Sequence, residues 1–213
     1  MKRCTVFCAG EFDAPVCPIE KNELIIAADG GLKHLQKLNI SPTVILGDFD
    51  SLGYTPTGAQ VFPVEKDDTD SMLAIRHGLQ AGCDQFILYG ALDGPRHDHT
   101  VANYQALMFL AQKGVTGYLV GKDCIVTAIK NSKMVFPPLK EGIFSAFCLG
   151  EAAHGVTIEG FHYALQNGCL DSNFPLGVSN HFIGKEANVC VCDGCLLLFY
   201  PRKAGIVPCL PMN

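Results

Sequence analysis

The sequence predicts a two-part α/β fold: a doubly wound, mostly parallel sheet with helices, followed by an antiparallel β-sandwich. In the first part, short apolar runs alternate with helical patterns, which is typical of parallel strands joined by crossover helices. In the second part, strand-like segments recur at roughly ten-residue spacing with glycines between them and no helical pattern. Because the composition changes close to 134–139, we expect domains at 1–130 and 131–213.

The elements of the first part follow from runs of apolar residues and the residues that bound them. Predicted strands lie within 1–10 and at 24–28, 43–46, 60–64 and 85–89. One helix opens at Leu32, and a second contains residues 72–79 with Thr69 or Asp68 as its N-cap. A third helix runs through 101–110 and is closed by Gly114.

The second part contains short segments with the pattern of antiparallel strands. These predicted strands are 143–148, 155–158, 161–165 and 195–200. Residues 201–213 contain three prolines and are expected to be irregular.

Composition limits the classes of function. The net charge of −5, from 16 basic and 21 acidic residues, argues against a nucleic-acid-binding protein. No apolar stretch approaches the ~20 residues that a membrane span requires, so we expect a cytoplasmic protein without membrane contact. The eleven cysteines are expected to be reduced thiols. Zinc sites usually pair two dyads, and the cluster of Cys190, Cys192 and Cys195 lacks a second one.

Two carboxylates, Asp48 and Asp50, follow the apolar strand 43–46. If the backbone stays extended through Phe49, both side chains point to the same side. Paired carboxylates at the end of a strand suit Mg²⁺, which takes oxygen ligands and keeps several waters. This motif alone is also compatible with an acidic surface turn.

Other polar clusters follow the neighbouring strands. Asp29 follows strand 24–28, Asp70 follows 60–64, and the segment 90–99 follows 85–89. Doubly wound sheets bind ligands beyond the carboxyl ends of their strands, so these clusters should converge on one crevice. Carboxylates that hold Mg²⁺, with Lys66 and Arg96 to meet phosphate oxygens, are the groups that phosphoryl transfer needs. The sequence has neither a P-loop nor a Gly-x-Ser-x-Gly motif.

Five short motifs in a fixed order resemble the thiamine pyrophosphokinase (thiamine diphosphokinase) family, especially its bacterial branch. The motifs are Ala28-Asp-Gly-Gly31, Gly47-Asp-Phe-Asp-Ser51, Lys66-Asp-Asp-Thr-Asp70, Arg96-His-Asp-His-Thr-Val-Ala-Asn103 and Gly177-Val-Ser-Asn180. The resemblance implies a homodimer whose active sites lie between the α/β domain of one subunit and the β domain of the other. It also implies transfer of the diphosphoryl group of ATP to the hydroxyl of thiamine, giving thiamine diphosphate and AMP.

The resemblance also implies a role for each matched residue. The Mg²⁺ ligands would be Asp48, Asp50 and Asp70. Lys66, Arg96 and Asp98 complete the expected catalytic set. The nucleotide would be bound by Asp29, Gly30, Thr69, Arg96 and His99, and thiamine by Ser179 and Asn180.

Several alternatives stay open at this point. Either Asp50 or Asp70 could accept the hydroxyl proton, and Phe174, Phe182 and Tyr163 are candidates for the aromatic partner of thiamine by residue type alone. A phosphohydrolase of the haloacid dehalogenase type also begins with a strand that ends in Asp-x-Asp, and its first Asp is a nucleophile. A further alternative is a catalytically inactive nucleotide- or thiamine-binding module.

Overall fold

The computed structural model describes residues 2–50, 52–63, 65 and 67–212. Contacts between Cα atoms divide the chain into two compact units, Met1–Ala106 with Leu119–Lys122, and Leu107–Tyr118 with Asp123–Asn213. The domain boundary near residue 130 stays a prediction.

The first unit is built on five parallel strands. They are β1 (Arg3–Phe7), β2 (Leu24–Ala28), β3 (Val44–Gly47), β4 (Gln60–Val61) and β5 (Gln85–Tyr89). All strand pairs in this group are parallel, and β1, β2 and β5 are buried along nearly their whole length. Strands that are buried on both faces need continuous apolar sequence, which is why these runs were recognisable.

The strand order is β5-β1-β2-β3-β4. The chain adds strands on one side of β1 as far as β4, and then places β5 on the other side of β1. The order therefore reverses between β1 and β5, and in α/β sheets the crevice at such a reversal is where ligands bind. The predicted α/β sheet is confirmed.

Three α-helices occur among the described residues: α1 (Leu32–Lys37), α2 (Asp70–Gln80) and α3 (His97–Gln112), which leads to β6 (Thr116–Val120). Thr69 is the N-cap of α2, and its Oγ1 accepts a hydrogen bond from the Met72 N–H at 3.3 Å. Gly114 follows α3 with φ = +70°, the left-handed conformation that ends many helices. The predicted caps at Thr69 and Gly114 are therefore present.

The second unit contains two antiparallel sheets. Its strands are β7 (Cys124–Lys130), β8 (Ser132–Phe136), β9 (Ile143–Phe147), β10 (Ala153–Glu159), β11 (Leu165–Leu170), β12 (Asn180–His181), β13 (Ala187–Cys190), β14 (Cys195–Pro201) and β15 (Cys209–Pro211). Within this unit, one sheet has the order β12-β9-β14-β7 and the other the order β11-β10-β13-β8-β15. The pairs within each sheet are antiparallel.

Aromatic side chains join the two sheets of the second unit. Phe136 of β8 is completely buried, and its ring centroid lies 5.7 Å from that of Phe144 in β9 and 5.1 Å from that of Tyr200 in β14. Phe161 and Phe182 complete the cluster. Edge-to-face contacts of this kind add to the stabilisation that burial of the rings provides. The predicted antiparallel sandwich is confirmed.

Two segments of the second unit differ from the sequence predictions. The predicted strand 161–165 is not formed except at its last residue: Phe161 makes an isolated bridge to Phe182, and β11 begins only at Leu165. The side chain of Asn180 binds both the N–H and the carbonyl of Tyr163, which takes these groups away from a strand ladder. The tail contains β15, which pairs with β8, so the prediction of an irregular tail was wrong for these residues.

All eleven cysteines lie in the described residues, and no disulfide occurs among them. The expectation of reduced thiols agrees with this arrangement. Along the described part of the chain, no helix has both the length and the apolar character needed to cross a membrane.

We expect Phe136→Ala to lower the free energy of unfolding by about 3–5 kcal/mol, because it removes a buried ring and leaves a cavity between two sheets. Phe174→Ala is the matched control: this side chain is 64% exposed, so the loss should stay within about 0.5 kcal/mol. Chemical denaturation of both variants measures the difference. Equal losses would show that the Phe136 cluster does not hold the two sheets together.

Candidate active site

A cavity of about 650 Å³ lies at the carboxyl ends of the parallel strands in the first unit. The chain leaving β1, β2, β3 and β5 contributes to its lining, as do the first turns of α2 and α3. This is the edge of the sheet, and it includes the β1–β5 reversal, where the strand order favours a ligand site. The polar clusters that follow β2, β3 and β5 and the segment before α2 therefore line one cavity, as predicted, for the residues described below.

Close approach of two loops shapes the cavity at the reversal. The Gly10 N–H donates to the Gly90 carbonyl at 2.9 Å, and Gly90 has φ = +66°. A Cβ atom at Gly90 would lie only 2.4 Å from the carbonyl oxygen of Cys8. Glycine is required at this position for both reasons.

Three carboxylates at the ends of neighbouring strands form one acidic group. One carboxylate oxygen each from Asp29, Asp48 and Asp50 lie within 4.8 Å of one another. Asp29 follows β2, whereas Asp48 and Asp50 follow β3. Asp29 is buried, Asp48 is half-buried and Asp50 is exposed, so the group extends from the protein interior to solvent.

The backbone reaches this arrangement through two left-handed residues rather than through an extended strand. Phe49 has φ = +61°, so the condition of an extended backbone between Asp48 and Asp50 is not met. The Phe49 ring is buried, and the Asp50 N–H donates to Asp48 Oδ1 at 3.3 Å. Asp29 has φ = +47°. Left-handed backbone at non-glycine residues costs free energy and is concentrated at functional sites.

Gly47 allows the two acidic segments to approach each other. A Cβ atom at this position would lie 3.1 Å from the backbone and side chain of Asp29, and its φ of +147° is rare for residues that carry a side chain. A side chain at residue 47 would therefore push the Asp29 turn away from Asp48. This glycine is the last residue of β3 and the first residue of the motif Gly47-Asp-Phe-Asp-Ser51.

Asp70 lines the same cavity but is not a member of the acidic group formed by Asp29, Asp48 and Asp50. It is the first residue of α2, directly after the N-cap Thr69. The acidic group therefore includes Asp29, which was expected to bind the nucleotide. It does not include Asp70, which was expected to be a metal ligand. The role of Asp70 as a metal ligand stays a prediction.

A chain of hydrogen bonds connects α3 to the first turn of α2. Asn103 is 6% exposed, its Nδ2 donates to the Ala91 carbonyl at 2.7 Å, and its Oδ1 accepts from Ser71 Oγ at 2.7 Å. Ser71 Oγ lies 3.0 Å from Thr69 Oγ1. We assigned no role to Ser71 or Asn103 from the sequence. The signal that could have identified Asn103 is its spacing of four residues from His99 on one helix, since both line the cavity.

Arg96 and Asp98 form an exposed ion pair at the start of α3. The Arg96 Nε and Nη2 atoms donate to the two carboxylate oxygens of Asp98 at 2.9 and 2.5 Å. These hydrogen bonds hold the pKa of Asp98 well below its usual range, so its carboxylate is ionised at neutral pH. Arg96 lines the cavity together with His99. The loop before Arg96 is anchored, because Asp93 Oδ2 accepts from the Lys122 N–H at 2.6 Å.

The remaining predicted site residues fall in three places. Gly30 is buried in the turn Asp29–Gly31, and Lys66 lies outside the described residues. In the second unit, Ser179 is exposed with φ = +59°, and its N–H donates to Ser145 Oγ at 3.1 Å. Asn180 is buried, and its side chain binds backbone groups of Tyr163 and His181.

The candidate aromatic partners of thiamine differ sharply in exposure. Phe182 is buried in the aromatic cluster of the sandwich, so its ring is not available to a ligand. Tyr163 and Phe174 are 61% and 64% exposed, and both stay candidates.

Comparison with protein-family models gives two matches. The thiamin pyrophosphokinase catalytic domain matches residues 18–119, and the thiamin pyrophosphokinase vitamin B1 binding domain matches residues 134–196. Together they match well over half of the chain. A thiamine pyrophosphokinase from Bacillus subtilis (strain 168) is 27% identical over 195 residues, which cover 84% of this chain and 87% of the relative.

Solved structures agree in fold. A crystal structure of thiamine pyrophosphokinase from Bacillus subtilis superposes with a TM-score of 0.81 at 23% identity, covering 94% of this chain and 99% of the other. Thiamin pyrophosphokinase from Candida albicans gives a TM-score of 0.71 at 16% identity, covering 94% and 88%. From the two family matches in sequence order and the shared fold, we conclude that this chain belongs to the thiamin pyrophosphokinase family.

Proposed function

We propose that this chain transfers the diphosphoryl group of ATP to the hydroxyl of thiamine, with Mg²⁺ as cofactor, and releases thiamine diphosphate and AMP. Diphosphoryl transfer from ATP to thiamine is the activity of the family. The family membership leaves the phosphohydrolase and inactive-module hypotheses without support. The observation that carries the proposal is the group of three carboxylates in the cavity at the carboxyl edge of the sheet.

The acidic group fits a hard divalent cation. Three carboxylates with oxygens within 4.8 Å of one another offer a divalent cation several oxygen ligands in one place. Mg²⁺ is usually held by a few carboxylates and keeps several waters, and the exposure of Asp50 leaves room for solvent and phosphate. Asp48 and Asp50 would hold the ion, with Asp29 or Asp70 as a further ligand. When bound, Mg²⁺ would neutralise charge on the phosphate oxygens.

Arg96 and the start of α2 would meet the phosphates. A guanidinium can bind two phosphate oxygens at once, and Arg96 lies at the cavity. Its pair with Asp98 is exposed to solvent, so a phosphate could reach the guanidinium and compete with Asp98 for it. The N-terminus of α2 also lies at the cavity and favours anions. We propose that Lys66 adds a further cation.

In-line attack of a hydroxyl on phosphorus depends mainly on positioning and charge neutralisation. The cavity of about 650 Å³ has the volume of a typical small-molecule site. Thiamine is a cation, and an acidic protein attracts it. We propose that Ser179 contacts thiamine and that Asn180 supports the same region.

Further parts of the proposal rest on the resemblance alone. We propose a homodimer with active sites at the subunit interface and a cytoplasmic location; the reduced cysteines agree with a reducing compartment. A molar-mass measurement by light scattering tests the dimer.

The direct test of the proposed function is an assay of the purified chain with ATP, thiamine and Mg²⁺. AMP and thiamine diphosphate should appear in equal amounts, and AMP release should require thiamine. Release of inorganic phosphate without thiamine would instead indicate a hydrolase.

Asp48→Asn and Asp50→Asn should each lower kcat by about 10²-fold or more, because each removes a charge that holds the metal. Asp84→Asn is the matched control, since Asp84 precedes β5 and so lies at the opposite end of the strands. Its turnover should match that of the unmodified chain. Full activity in both site variants would exclude these residues as metal ligands.

Arg96→Lys should lower kcat/KM for ATP by about tenfold or more, because lysine keeps the charge but cannot bind two phosphate oxygens through a planar group. Arg202→Lys, in the second unit, serves as the control. Steady-state kinetics with ATP as the varied substrate measures the effect. Unchanged kinetics for Arg96→Lys would mean that phosphate does not displace Asp98 from this guanidinium.

A further inference from the structure

The hydrogen bonds that run from Ala91 to Thr69 have a fixed direction. A backbone carbonyl only accepts, so the Asn103 atom that faces the Ala91 oxygen at 2.7 Å must be Nδ2. Asn103 Oδ1 therefore faces Ser71, and the Ser71 hydroxyl must donate its hydrogen to it. The orientation of the Asn103 side-chain amide therefore follows from the Ala91 carbonyl, which can only accept.

The direction continues to Thr69. Because Ser71 has given its hydrogen to Asn103, Ser71 Oγ can only accept at its 3.0 Å contact with Thr69, and Thr69 must donate. Thr69 Oγ1 also accepts from the Met72 N–H. The hydroxyl hydrogen of Thr69 is thus committed, and only a lone pair of this oxygen is left for a ligand in the cavity.

We propose that Asn103 is a positioning residue for diphosphoryl transfer, acting through Ser71 to fix the first turn of α2 and to make Thr69 a hydrogen-bond acceptor toward the cavity. Asp70 lies between the two tethered hydroxyl residues, so the same bonds fix its backbone. Ionised phosphate oxygens accept hydrogen bonds and give none. The Thr69 hydroxyl therefore has no hydrogen to give a phosphate, in contrast to the nucleotide-binding role that the resemblance implies for Thr69, and its partner is an O–H donor such as a substrate hydroxyl or water.

The burial of Asn103 explains why the network can act as a rigid support. Its side chain is shielded from water, so a lost partner would leave a buried polar group unsatisfied. Groups that position catalytic residues matter because small displacements at a reacting centre lower the rate strongly. This inference rests on the proposed function for its kinetic consequences but not for the hydrogen bonds themselves.

The first test compares Asn103→Ala, Ser71→Ala and the double variant. Each single variant should lower kcat by about tenfold, with KM for ATP and thiamine changed by less than about threefold. Because both residues act in one series of hydrogen bonds, the kcat of the double variant should be no more than about twofold below that of the less active single variant. The proposal would be overturned if the two fold-reductions in kcat multiplied in the double variant, or if kcat were unchanged in either single variant.

Thr127→Val controls for a loss of stability alone. Thr127 is fully buried in the second unit and donates to the Gly117 carbonyl at 2.7 Å, so its removal also breaks a buried hydrogen bond. We expect a lower denaturation midpoint and an unchanged kcat. If Asn103→Ala does not fold, Ser71→Ala tests the same chain from a half-buried position.

The second test separates acceptor from donor at Thr69. Thr69→Val should lower kcat while the dissociation constant of Mg²⁺–ATP, measured by calorimetry without thiamine, changes less than about threefold. Thr69→Ser, which keeps the hydroxyl, should restore most of the turnover. Binding of Mg²⁺–ATP that weakens about tenfold or more in Thr69→Val would show that the hydroxyl donates to phosphate, and would overturn the proposal.

Failure of the proposed function would be recognised separately, because the unmodified chain would then form no thiamine diphosphate. The hydrogen-bond chain is still testable in that case through denaturation midpoints without substrate. The double variant Asn103→Ala with Ser71→Ala should lose no more than the larger single loss. Additive losses would refute the coupling.

Discussion

The close approach of three carboxylates is the constraint that shapes this site. One carboxylate oxygen each from Asp29, Asp48 and Asp50 lie within 4.8 Å of one another, at the ends of two neighbouring strands. The chain holds them there with left-handed backbone at Asp29 and Phe49, and the burial of the Phe49 ring helps to offset the cost of that backbone. Such an arrangement suits the binding of a cation, because folding has already brought the carboxylate ligands together before the ion binds.

The two sides of the cavity are organised by different kinds of interaction. On the α2 and α3 side, hydrogen bonds link the buried Asn103 to the half-buried Ser71 and Thr69. At the start of α3, the pair of Arg96 and Asp98 is exposed to solvent. A hydrogen-bonded support next to a solvent-exposed cation suits a site that must bind a polyphosphate, align it for attack and release it again.

Sequence reasoning worked where local pattern decides the structure. The strands at 24–28 and 85–89 have the predicted bounds because their apolar runs are buried on both faces. Sequence reasoning failed where contacts between residues far apart in the sequence decide the structure. Phe49 adopts a left-handed turn with its ring buried, and within the predicted strand 161–165 the side chain of Asn180 binds the backbone N–H and carbonyl of Tyr163. The same limit explains why Asp29, and not Asp70, joins Asp48 and Asp50 in the acidic group: a spacing along the chain does not give the distance between the ends of neighbouring strands.

A crystal structure with Mn²⁺ and a non-hydrolysable ATP analogue tests the central claim most directly, because anomalous scattering locates the ion. We expect an Mn²⁺ ion coordinated by carboxylate oxygens of both Asp48 and Asp50 and by the phosphates, with Asp29 or Asp70 as a further ligand. An ion that contacts neither Asp48 nor Asp50, or an ATP analogue bound away from this cavity, would contradict the account.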